Sequence, residues 1–188
     1  MNFNITRRKF LAGGLACAGT LITPHLARAL LPPPKSDGCK RIITMHHLHT
    51  GETYDLPYWK DGQYSKQVLA QINHFMRDWR QSQECPINPQ LLDMMHKLSV
   101  DVGNADGRFD IICGFRSPKT NAALRQKSSG VAKASLHMKG DAIDLSLKGT
   151  KLAELKDAAR AMKMGGVGYY PKSNFIHIDI RDKPAYWA

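Results

Sequence analysis

The chain has 188 residues, 43% hydrophobic and 23% charged, which excludes a disordered or fibrous protein and allows one domain or two small ones. Lys and Arg number 27 against 16 Asp and Glu, and the net charge of +11 suits an anionic partner: nucleic acid, acidic lipid or an acidic cell-wall polymer. No apolar stretch is long and clean enough for a permanent membrane span.

Thr6-Arg7-Arg8-Lys9-Phe10-Leu11 places adjacent arginines before an apolar run from Leu11 to Ile22, and Ala27-Arg28-Ala29 supplies small residues where a signal peptidase reads. Basic, then apolar, then Ala-x-Ala is the twin-arginine export pattern. Residues 1–29 are therefore expected to be a cleaved signal peptide, and the mature protein periplasmic. Gly14-Leu15-Ala16 before Cys17 is a poor match to a lipoprotein site, so no stable membrane anchor is expected. Removing the leader takes away four basic residues and no acids, leaving +7. An exported domain of that charge meets the cell wall rather than chromosomal DNA, and no specific nucleic acid is expected. Cys39, Cys85 and Cys113 remain, enough for one disulfide at most, and no Cys-x-x-Cys pair points to a zinc ribbon.

Residues 30–40, with Leu31-Pro32-Pro33-Pro34, read as an extended linker, and 41–188 as one domain. Arg41 to Leu48 reads as a strand, turning at Thr50-Gly51-Glu52 into a hairpin partner at Tyr54–Leu56. Apolar residues at Val68, Leu69, Ile72, Phe75, Met76 and Trp79 predict a helix over Gln67–Arg80. Pro89 opens a second helix carrying Leu91, Leu92, Met95, Leu98 and Val102. A strand at Phe109–Ile112, a helix at Lys119–Gln126 and a strand at Ala142–Leu147 follow. An amphipathic helix over Lys151–Met164 is stopped by Gly165-Gly166, and Phe175–Ile180 is a final strand.

Two short segments carry the chemistry. In Ser135-Leu136-His137-Met138-Lys139-Gly140-Asp141-Ala142-Ile143-Asp144, an imidazole and a carboxylate meet if a tight turn at Gly140 folds the chain back into a strand. In His177-Ile178-Asp179, alternate residues share one face of a strand. Two histidines and an aspartate form a three-ligand zinc set whose fourth position takes water, the catalytic arrangement. Such a zinc polarises a carbonyl and brings the pKa of water to about 7. His46, His47, His49, His74 and His96 are assigned to surface or hydrogen-bonding roles.

Ser-x-His-x-x-Gly-x-Ala-x-Asp at 135–144 with His-x-Asp at 177–179 resembles the zinc D-Ala-D-Ala carboxypeptidase family of murein peptidases, which shares its zinc core with the hedgehog domain. Gly114-Phe115-Arg116-Ser117 resembles that family's Gly-Tyr-Arg-Ser segment. With the leader and the stretch Gly165–Pro171, the chain is most similar to the family's twin-arginine-exported murein endopeptidases. The resemblance implies an α+β single domain: a small antiparallel sheet carrying the zinc site, with flanking helices. It implies Zn2+ held by His137, Asp144 and His177. Arg116 would bind a substrate carbonyl or carboxylate and stabilise developing negative charge, and Ser135 would steady the turn beside the substrate. Many relatives carry an acidic base three residues before the last histidine, where this chain has Asn174. An amide cannot take that proton. Asp179 is then either the catalytic base, a carboxylate orienting His177 or a neighbour, or itself a ligand. The implied activity is hydrolysis of cross-links between peptidoglycan stem peptides by a monomer, including cross-links between two diaminopimelate residues. A D-alanyl carboxypeptidase and a non-catalytic zinc-containing wall-binding domain are the alternatives.

Overall fold

The computed structural model describes residues 40–128 and 130–188, so the expected leader, nearly all of the linker and Cys39 lie outside the described residues. The hairpin is present as β1 (Lys40–His47) and β2 (Thr53–Lys60), with β3 (Gln63–Tyr64) at the edge. The helix α1 (Lys66–Phe75) starts where the Ser65 side chain accepts from the Val68 N–H, a cap worth about 1 kcal/mol.

The apolar period continues to Trp79, but α1 stops at Phe75. Continuation would send the Arg80 N–H to the Met76 carbonyl. Instead that N–H goes to Asp78 Oδ1 at 3.1 Å, while the Met76 carbonyl accepts from Phe115 N–H at 2.8 Å. Asp78 Oδ2 accepts from Ser117 N–H at 2.9 Å. The end of the helix is thus spent on holding the Gly114–Ser117 segment.

Then come α2 (Pro89–Asp101), capped by Asn88, and β4 (Phe109–Cys113). The helix α3 (Pro118–Lys127) is capped by Ser117, and a 3₁₀ turn spans Leu136–Lys139. After it lie β5 (Ala142–Leu147), α4 (Leu152–Met162), β6 (Gly166–Tyr170), β7 (Phe175–Asp179) and β8 (Ala185–Trp187). The α+β single domain is as expected for the described residues, but the sheet is not small. It has eight strands in the order β3-β2-β1-β4-β5-β7-β6-β8, and it is mixed, since β1 runs parallel to β4 and β6 to β8. The additional strand β6 begins at Gly166, within the pair read as a helix stop; α4 itself ends at Met162, and its C-cap Lys163 takes a left-handed conformation.

Ile143, Leu145 and Leu147 of β5 and Ile176 and Ile178 of β7 are buried in one core with Leu91, Leu92, Met95 and Leu98 of α2 and Leu155 of α4. Each such side chain contributes roughly 1.5–3 kcal/mol when fully buried. Strand alternation sends Asp144, His177 and Asp179 to the opposite face. The pairing of β4 with β5 slips between Ile111 and Cys113: Ile111 opposes Leu145, but Cys113 opposes Asp144 rather than Ile143. This bulge turns Cys113 away from the face that Phe109 and Ile111 bury and onto that of Asp144.

Candidate metal centre

His137 reaches the centre from the 3₁₀ turn. Gly140 closes that turn in the left-handed region at φ +71°, and a Cβ there would lie 2.2 Å from the Pro86 carbonyl oxygen. Only glycine fits, so the turn anticipated in the sequence is set by both backbone conformation and close packing. The cross-strand register supplies the rest: Cys113, Asp144, His177, Gly168 and Trp187 form one row across five strands.

His137 Nε2, Asp144 Oδ1 and His177 Nδ1 converge, at 3.2 Å, 3.1 Å and 2.8 Å from one another. The outer nitrogen of each ring faces an acceptor. His137 Nδ1 is 2.8 Å from the Gly114 carbonyl, and His177 Nε2 is 3.0 Å from Asp179 Oδ2. A neutral ring that gives its N–H to the outer acceptor presents the lone pair of its inner nitrogen to the Asp144 oxygen. With His137 at 2% and Asp144 at 6% exposure, three donor atoms so arranged could hold a metal ion between them.

The titration behaviour agrees. Burial alone would lower the pKa of His137, yet Asp144 and Cys113 beside it carry it well above the ordinary histidine value. Burial would raise Asp144, but His137 and His177 hold it well below the usual carboxylate range. Both directions express one demand, for positive charge between the donors. The donor set fits a zinc-like ion: atoms bound at 2.0–2.1 Å in a tetrahedral shell stand about 3.3 Å apart. The observed spacing is close to that. Among the described residues, His137 and Asp144 also share a donor cluster with Cys113, all within 4.8 Å of one another. The carboxylate and two imidazoles make the tighter group.

Arg116 lies beside this centre. Its Nη2 is 3.6 Å from Asp144 Oδ2, its Nη1 donates to Asn121 Oδ1 at 3.4 Å, and its backbone N–H donates to the His137 carbonyl at 3.2 Å. Ser135 is buried before the turn, which it steadies through its backbone carbonyl, accepting from Met138 N–H at 3.1 Å, and not through a hydroxyl cap.

Asp179 is fully buried, and both its oxygens are occupied. Oδ1 accepts from Gly166 N–H at 2.9 Å and from Arg181 Nε at 2.7 Å, and Oδ2 accepts from His177 and from Arg181 Nη2. The His177 ring stands between this carboxylate and the three inner donors. Asp179 thus lies on the outer edge of the His177 ring, opposite the edge that faces Asp144. Asn174 sits exposed at a left-handed position in the turn before β7.

Trp187 was not anticipated. Its ring centroid is 5.3 Å from that of His177, and its Nε1 donates to Tyr170 Oη at 2.9 Å. Gly168 makes room for it, since a Cβ there would lie 2.5 Å from Trp187 Nε1. The second glycine of Gly166-Val167-Gly168 was the available signal. His47 is engaged in its own turn, where its ring nitrogen accepts from the His49 and Thr50 backbone N–H groups.

Two imidazoles and one carboxylate are the donors of a catalytic rather than a structural metal site, the equipment of a metal-dependent hydrolase. The family profile described as peptidoglycan L,D-endopeptidase MepK matches residues 35–185. The chain is 42% identical over 177 residues to the peptidoglycan L,D-endopeptidase MepK of Escherichia coli, covering 94% of each chain. It is 37% identical over 173 residues to the probable peptidoglycan L,D-endopeptidase MepK of Haemophilus influenzae, covering 92% of this chain and 91% of that protein. The chain belongs to the MepK family, a family of murein metallopeptidases.

Proposed function

We propose that this protein is a zinc-dependent murein endopeptidase that hydrolyses L,D bonds in the cross-links between peptidoglycan stem peptides. One observation carries the reading: His137 Nε2 and His177 Nδ1 converge on Asp144 Oδ1 at 3.2 Å and 2.8 Å, while the outer nitrogen of each ring faces a separate acceptor. The names of the two relatives supply the bond type. Zinc supplies Lewis acidity toward the scissile carbonyl and toward a water molecule. The protein's own residues do the remainder. Gly114 and Asp179 fix the two imidazole tautomers, and Arg116 sets a cation beside the place where negative charge develops on the attacked carbonyl. Trp187 walls the His177 side.

Residues 1–29 act as a twin-arginine signal peptide and residues 30–40 as a linker, delivering a monomer to the periplasm without a membrane anchor. The basic, apolar, Ala-x-Ala order of the leader supports this. Among the described residues, no helix is long and apolar enough to cross a membrane. The test is digestion of purified cross-linked muropeptides by zinc-loaded protein, with Asp144→Asn alongside. Conversion of L,D-linked dimers to monomers by the wild type alone is the expected result. Release of terminal D-alanine without dimer cleavage would reassign the protein as a carboxypeptidase. Binding without turnover would make it a wall-binding domain.

A further inference from the structure

Cys113 is a thiol that the proposed reaction does not use. Regular pairing of β4 with β5 would place it opposite Ile143, on the buried face; the slip after Ile111 sets it opposite Asp144 instead. Bulges beside active sites commonly re-aim one side chain in this way. The redirected sulfur, a ring nitrogen of His137 and a carboxylate oxygen of Asp144 lie within 4.8 Å of one another. Arg116 Nη2 is 3.5 Å from Cys113 Sγ and 3.6 Å from Asp144 Oδ2, so one guanidinium faces both the sulfur and the carboxylate. Cys113 is a free cysteine and is not enclosed in the apolar core.

We propose that Cys113 is a fourth protein donor to the metal centre, giving it a second, closed ligand set in which its sulfur joins His137, Asp144 and His177. This rests on the metallopeptidase reading above. In the open set, His137, Asp144 and His177 hold the ion and the fourth position takes water. In the closed set, a rotation about χ1 of Cys113 brings the sulfur in as thiolate, its proton passing to solvent and the water leaving. Four protein donors saturate a tetrahedral ion, as in structural sites. The closed form therefore retains the metal without hydrolysing, and thiolate favours soft ions such as zinc and cobalt over magnesium or calcium.

Cobalt(II) reports this directly, because a sulfur–cobalt bond gives a near-ultraviolet charge-transfer band that nitrogen and oxygen donors do not. Wild-type protein without chelator, titrated with cobalt, is expected to bind one ion and show the band. Cys113→Ser and Cys113→Ala, with folding checked by circular dichroism, should bind one ion without it and about tenfold or more weakly. His177→Ala should keep a cobalt ion and the band, and His177→Ala combined with Cys113→Ser should lose both. One bound ion with no band, at an affinity unchanged by Cys113→Ser, overturns the Cys113 assignment and leaves the three-donor centre standing. Protein that takes up no cobalt overturns both.

Discussion

Asp179 grips His177 at its Nε2 nitrogen, 3.0 Å away, on the ring edge opposite the one that faces Asp144 at 2.8 Å. One imidazole is held between two carboxylates, and in the proposed centre only the inner one is a donor to the ion. Asp179→Asn replaces one acceptor oxygen with an N–H donor that cannot receive the His177 proton. Metal affinity, measured by competition with a chelator, is expected to fall about 10–100-fold. Unchanged affinity with collapsed turnover would instead restore the role of base to Asp179.

The proposed mechanism gives Arg116 the task of contributing charge at the reaction centre without serving as a donor to the ion. Replacing it with Met should lower kcat roughly 10²–10³-fold while the metal content stays at the wild-type level. Lysine should rescue only partly, because an ammonium cannot face Asp144 and Asn121 together as the planar guanidinium does. Metal analysis beside steady-state kinetics separates the cases. Loss of metal in step with activity would mean that Arg116 acts by holding Asp144.

Gly140→Ala tests how the turn delivers His137. The left-handed backbone at φ +71° alone costs an alanine roughly 1–2 kcal/mol, and the contact with the Pro86 carbonyl adds to it. The melting temperature should drop by at least about 4 °C. The apo protein should show the same drop, since the strain is in the chain. A drop confined to metal-loaded protein would place the effect at the centre instead.

Much of this organisation is legible in the sequence, and the failures share a cause. Pro89 and the Gly140 turn act through local backbone preference, so α2 and the His137–Asp144 pairing can be read from neighbours along the chain. The end of α1 cannot, because Asp78 and the Met76 carbonyl are claimed by Ser117 and Phe115, about forty residues away. Gly165-Gly166 reads as a helix stop, which hides the close approach that Gly166 and Gly168 serve: Gly168 admits the Trp187 ring, and Gly166 donates to Asp179. The slip that turns Cys113 toward Asp144 leaves no trace in apolar alternation, which is too short in β4 to show a lost register. The convergence of His137, Asp144 and His177 can be read from the motif pattern, whereas the contacts that occupy both oxygens of Asp179 needed the fold.

A pH effect far from the centre follows from His47. Burial, followed by its neighbour His49, lowers its pKa from 6.5 to about 4, and its Nδ1 accepts two backbone N–H groups that a protonated ring would repel. The unfolded chain takes up this proton near 6.5 and the folded protein only near 4, so the unfolded state binds more protons between those values. Stability from neutral His47 is therefore complete above 6.5 and is lost as pH falls toward 4. Melting temperatures across that window should decline in the wild type and decline less steeply in His47→Gln. Parallel curves would exclude His47 as the cause.

The most direct test of the centre is anomalous diffraction at the zinc edge from crystals of zinc-loaded protein that digests cross-linked muropeptides. A single strong peak is predicted within bonding distance of His137 Nε2, Asp144 Oδ1 and His177 Nδ1. Active protein whose zinc lies elsewhere, or that holds none, would contradict the account.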